Sequence, residues 1–155
     1  MELFLTLRLV HILSAAVLFG TGLGIAFFML LAVRGGDVAH IARTGRHVVL
    51  ADAIFTAVAV IVQPISGIWL ALIVGYPMMS KWLFCTYILY GIAAAAWLPV
   101  VWIQMRLAKL AEVATSNGTP LDAEFHRLFR IWFWLGWPGF LSVFGIYILM
   151  VFKPG

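Results

Sequence analysis

Residues 3–33 read LFLTLRLVHILSAAVLFGTGLGIAFFMLLAV, an apolar run broken only near its start by Arg8 and His11. A helix needs about 20 such residues to cross the roughly 30 Å of hydrocarbon in a bilayer, so this run is long enough to span with tilt. It is also far longer than the roughly 7–15 apolar residues of a signal-peptide core, and it reads as a retained helix. Three similar runs follow. Residues 48–74 are apolar around Asp52, Gln63, Pro64 and Ser66, and Gly75, Tyr76 and Pro77 then turn the chain. A third run extends from Lys81 to Gln104 before Arg106, Lys109 and Glu112 mark an exit into water, and a fourth covers Phe129 to Phe152. Thr115 to Pro120 form a cluster of helix breakers, and Asp122 and Glu124 suit the positive end of the last helix dipole.

Composition leads to the same class. The chain is 65% hydrophobic and 10% charged, whereas a soluble domain carries about 25% charged residues. Hydrocarbon also forbids unpaired backbone groups, which helices satisfy internally. The expected fold is all-α, an integral membrane four-helix transmembrane bundle forming one domain over residues 1–155. Its helices are expected at about 3–33, 48–75, 81–112 and 122–152. The stretch from Arg34 to His47 is charged enough to read as a loop with one helical turn.

Charge sets an orientation. The connections between helices one and two and between three and four hold Arg34, Arg43, Arg46, Arg106, Lys109, Arg127 and Arg130, while Arg8, Lys81 and Lys153 lie on the other side. The bias of basic residues toward the cytoplasm then puts both termini outside it, periplasmic if the membrane is a bacterial inner (cytoplasmic) membrane. The net charge of +4 describes loops near anionic lipid. No basic stripe with a readout helix accompanies it, so nucleic acid is not an expected partner. The lipid bilayer is, and a homo-oligomer or larger membrane complex stays open. The lone Cys85 gives neither an intrachain disulfide nor a thiolate cage for zinc or iron–sulfur.

An ionisable side chain inside a span is costly enough to be a functional candidate. His11 lies about two turns into helix one, Arg8 precedes it by three positions on the same face, and Lys81 opens helix three on the same side. If helices one and three pack next to each other or across the bundle, these three can converge on one pocket in the outward half of the membrane. A neutral imidazole is a good axial ligand for haem iron, and the cations would pair with propionates. The plainer alternatives are a hydrogen-bonded packing histidine and cations that snorkel to the interface. Gly20 and Gly24 form a Gly-xxx-Gly pair suited to internal packing, to a dimer face, or to making room beside a flat porphyrin. Gln63 and Pro64 predict a kink with a polar amide, its freed backbone satisfied by Ser66 or a neighbouring helix. Asp52 is expected to pair with Arg46 or Arg130. Trp82, Trp102, Trp132, Trp134 and Trp137 crowd helix ends like an interfacial belt.

Leu9-Val10-His11-Ile12, Lys81-Trp82-Leu83, the segment His126 to Phe133, Trp137-Pro138 and Val151-Phe152-Lys153-Pro154 occur in an order that resembles the bacterial four-helix protoporphyrinogen IX oxidases. Leu18-Phe19-Gly20-Thr21-Gly22 stands where that family has a Trp-Phe-Ala-Gly stretch, and its Pro-Arg pair is missing. The segment from Gln63 to Leu70 is more similar to a sister family of predicted integral membrane proteins. The resemblance implies haem b on His11, with Lys81 nearby, in a redox or porphyrin-related membrane protein, an oxidoreductase if it is an enzyme. The alternative is a non-catalytic membrane subunit or scaffold without a cofactor.

Overall fold

The computed structural model describes residues 1–154. Helix α1 runs Glu2–Gly35, α2 Val38–Ala51, α3 Ala57–Val74, α4 Lys81–Asn117 and α5 Ala123–Phe152. Between α2 and α3, Asp52–Thr56 form one π-helical turn, so residues 38–74 make a single rod. Four rods are long and apolar enough to cross a membrane. The chain is an all-α integral membrane bundle, with both ends at one face, here the termini face. The two tight connections at Gly36-Asp37 and Gly118–Asp122 lie at the other, the loop face.

Helix ends follow local chemistry. Gly36, Gly75 and Gly118 close α1, α3 and α4 in the left-handed conformation (φ 75°, 77° and 63°), which glycine adopts without a Cβ penalty. Asp37 accepts from the backbone N–H of Ala39 and His40 to start α2, and Asp122 accepts from that of Phe125 to start α5.

The expected loop between the first two spans is corrected. The charged stretch after Arg34 is helix from Val38 onward. Ile41, Ala42, Gly45 and Val48 are its buried residues, at helical spacing, while His40, Arg43, Arg46 and His47 are exposed on the other face. Gly45 permits the approach to α4, since a Cβ there would lie 3.2 Å from the Ala108 backbone.

The rods pack in chain order. α1 lies along the whole 38–74 rod, α2 packs on α4, α4 packs on α5, and α5 closes on α1 only lightly. At about 1.5 Å per residue, a helix of 37 residues such as α4 is about 55 Å long, well beyond the roughly 30 Å of hydrocarbon. With Lys81 at the termini-face boundary, the surplus emerges at the loop face. There the main core of Met29, Ile41, Leu107, Ala111 and Phe125 is assembled. Trp102 and Trp134 are exposed, as an interfacial belt requires. Trp82 and Trp132, expected in that belt, are instead buried. Trp82 packs with Ala71 and Leu83, and Trp132 joins the loop-face core.

Arg46 pairs with Glu112 at 3.7 Å, and Arg106 with Glu124 at 2.9 Å, both outside the spans at the loop face. At the termini face Lys153 donates to the Tyr76 hydroxyl at 2.8 Å and lies 4.8 Å from the centre of that ring.

Candidate functional site

Two polar groupings interrupt the apolar interior. The first joins α1 to α3. The hydroxyl of Ser66 donates to the Val62 carbonyl at 2.7 Å, which commits its single proton. Its oxygen, 2.9 Å from His11 Nδ1, therefore accepts from that nitrogen. His11 is thus the Nδ1–H tautomer with its lone pair on Nε2, and the Gln63 amide nitrogen faces that lone pair at 3.3 Å. Gln63 is held in this orientation by Ser14, whose hydroxyl donates to Oε1. Gly67 gives the ring its room: a Cβ there would come 2.9 Å from His11 Cε1.

Pro64 sits beside this network. It has no N–H, which orphans the Val60 carbonyl four residues earlier, and the Tyr90 hydroxyl of α4 donates to that oxygen. The kink is satisfied by a neighbouring helix, one of the two routes the sequence predicts.

The second grouping lies some 14 residues, about 21 Å along the rod, toward the loop face. Asp52 opens the π-helical turn and is buried. Its Oδ2 accepts from Gln104 Nε2 at 2.9 Å and its Oδ1 from Trp97 Nε1 at 3.3 Å, while Trp132 Nε1 donates to Gln104 Oε1 at 3.4 Å. Neither expected arginine reaches it, since Arg46 is drawn to Glu112. The buried Thr56 hydroxyl, one turn on, has no hydrogen-bond partner among the described residues. Above this floor a cavity of about 360 Å³ rises between the rods, lined by aromatic and small side chains of α1, α3, α4 and α5.

His11, Arg8 and Lys81 lie toward the termini end of α1 and α4. Among the described residues no hydrogen bond or ion pair joins them, and Arg8 and Lys81 are exposed. α1 packs on α2, α3 and α5, and α4 on α2 and α5, so α1 and α4 face each other across the bundle. Gly20 does not pack internally, for nothing lies within 4 Å of a Cβ placed there, nor at Gly22 or Gly24. No group of three His, Cys, Asp or Glu side chains is placed to hold a metal among the described residues. The sequence reading did not find Gln104, Trp97 or Thr56. A glutamine and a tryptophan seven positions apart on one helix face were the available signal.

Residues 5–154 match the profile of a family described as "Predicted integral membrane protein (DUF2269)". The chain belongs to that family. Membership of DUF2269 agrees with the four-rod architecture and carries no assigned chemistry with it. No curated protein and no solved structure matches the chain.

Proposed function

We propose that this DUF2269 chain is a haem b-binding membrane protein that uses His11 Nε2 as an axial ligand, with redox or porphyrin-related work as its function. One observation carries the reading: the Ser66 contact holds His11 as the Nδ1–H tautomer, which leaves on Nε2 the lone pair that iron takes. The ligand atom has the right chemistry, and in the structure it faces the Gln63 amide nitrogen at 3.3 Å. Gln63, a flexible amide, is the side chain that must yield Nε2. Arg8 and Lys81 are exposed at the termini face, where they can pair with carboxylates, and Gly20 leaves an open strip of α1 below them. Bound haem would supply one-electron chemistry, while the protein would set its position and potential through ligand and burial. The likeness to the protoporphyrinogen oxidases supports this class and not a particular substrate. The basic loop face fits a cytoplasmic side, with both termini periplasmic.

The test is an absorption spectrum of protein purified from haem-replete cells. A Soret band lost in His11→Ala and kept in His126→Ala supports the proposal; a colourless wild-type protein sinks it. The scaffold reading draws on the same open glycine strip of α1, taken as a docking face. Co-purification of a stoichiometric partner, lost on enlarging Gly20 and Gly24, would favour it.

A further inference from the structure

The cavity above Asp52 belongs to different residues from the His11 network, and its chemistry is one-sided. Its floor is rich in acceptors. Both Asp52 oxygens take N–H donors from neutral groups, Gln104 Oε1 takes one from Trp132, and each of these oxygens keeps a further lone pair. Asp52 is 6% exposed, and no ion pair reaches it among the described residues. A carboxyl group held out of water by neutral donors alone is a place where a bound cation gains most. Thr56, 5% exposed, is also part of the cavity wall, and its hydroxyl has no partner among the described residues, so it is a polar group waiting for one.

The walls complete the specification. Phe19 stacks on Phe140 with ring centroids 5.1 Å apart, and Trp137 meets Phe140 edge-on at 6.3 Å, so aromatic rings line an otherwise apolar chamber. Its volume of about 360 Å³ falls in the range of roughly 300–1,000 Å³ usual for small-molecule sites. Because α1 and α5 close only lightly, and the wall residues Leu23 and Trp137 are about half exposed, the chamber is reached from the lipid along that seam.

We propose that this cavity binds a lipophilic ammonium cation, its N–H groups on Asp52, Gln104 and Thr56 and its apolar body among the aromatic rings. The cation neutralises Asp52, its donors fill the spare acceptors, and the rings attract the charge through their faces. A ligand of the same shape without the charge gains only the apolar contact.

The experiment is calorimetric titration of the protein in lipid nanodiscs, against empty nanodiscs, with 4-phenylbutylammonium and with the neutral 4-phenylbutan-1-ol. The ammonium is expected to bind saturably and about tenfold or more tighter than the alcohol, the scale of a desolvated charge contact. Asp52→Asn, which keeps one acceptor oxygen, should erase that preference while leaving the alcohol unchanged. Gly136→Phe should abolish both, because Gly136 lines the cavity and a Cβ there meets nothing within 4 Å. Equal affinity of the wild-type protein for the two ligands overturns the proposal without recourse to any variant. So does a preference that survives Asp52→Asn in protein of unchanged helicity, or ammonium binding untouched by Gly136→Phe.

Discussion

Replacing Gly67 by alanine should destabilise the bundle when His11 is present and stabilise it when His11 is absent. The new Cβ would stand 2.9 Å from His11 Cε1, whereas carbon atoms rest at about 3.5–4.0 Å. The imidazole must therefore retreat by about 0.6 Å or more. It cannot do so freely, because Ser66 holds Nδ1 at 2.9 Å and Gln63 already meets Nε2 at 3.3 Å. A retreat of that size breaks about one hydrogen bond and leaves a buried polar atom unpaired, which costs about 1–3 kcal/mol. Against this, alanine within a helix is favoured over glycine by roughly 0.5–1 kcal/mol. The net loss in the wild-type protein is about 1 kcal/mol. With His11→Ala the clash disappears and only the helical gain of roughly 0.5–1 kcal/mol remains. Reversible unfolding in mixed micelles of the four proteins in this double-mutant cycle reads the inversion directly. If Gly67→Ala has the same sign and size in both backgrounds, the imidazole is not wedged between α1 and α3 as described.

Other perturbations probe the remaining contacts. Tyr90→Phe strips the donor from the carbonyl that Pro64 leaves open, and should cost about 1–2 kcal/mol in the same unfolding assay; in a Pro64→Ala background the loss should largely vanish. Gln104→Leu unpairs an Asp52 oxygen and the Trp132 indole together, and a loss of about 1–3 kcal/mol is expected, with a blue or red shift of tryptophan emission reporting the altered floor. In a Cys85→Ser protein, a cysteine placed at Met79 should react with an impermeant maleimide added outside intact cells, and one at Gly118 only after lysis. The reverse pattern would overturn the orientation drawn from the basic residues.

The four spans and their common termini face were legible because hydrocarbon imposes a length and a composition that a single sequence displays openly. The helical nature of residues 38–51 was masked by charge. His40, Arg43, Arg46 and His47 suggested a loop, while Ile41, Ala42, Gly45 and Val48 carried the helical spacing beneath them. Within the candidate site, His11, Gln63 and Ser66 each stood out as a polar residue in an apolar run. Their pairing did not, since it depends on which face of α3 meets α1. Asp52 was noticed but given the wrong partner. Nearness in sequence favoured Arg46, whereas the π-helical turn and the crossing with α4 bring up Gln104, 52 positions away. No local pattern encodes an encounter of that kind. The tryptophans failed for a related reason: position near a helix end suggests the interface, yet Trp82 and Trp132 face inward.

The surplus length of the rods has a consequence for how the molecule comes apart. Its loop-face core is assembled where water drives apolar groups together, whereas the spans are held by close contact and internal hydrogen bonds in a medium as oily as themselves. Urea acts through the aqueous phase, so it should melt the protruding cap while the four rods stay threaded through the bilayer. Gln104 and Trp132 straddle the two zones, and that first melting step would therefore loosen the grip on Asp52 long before the protein loses its membrane topology.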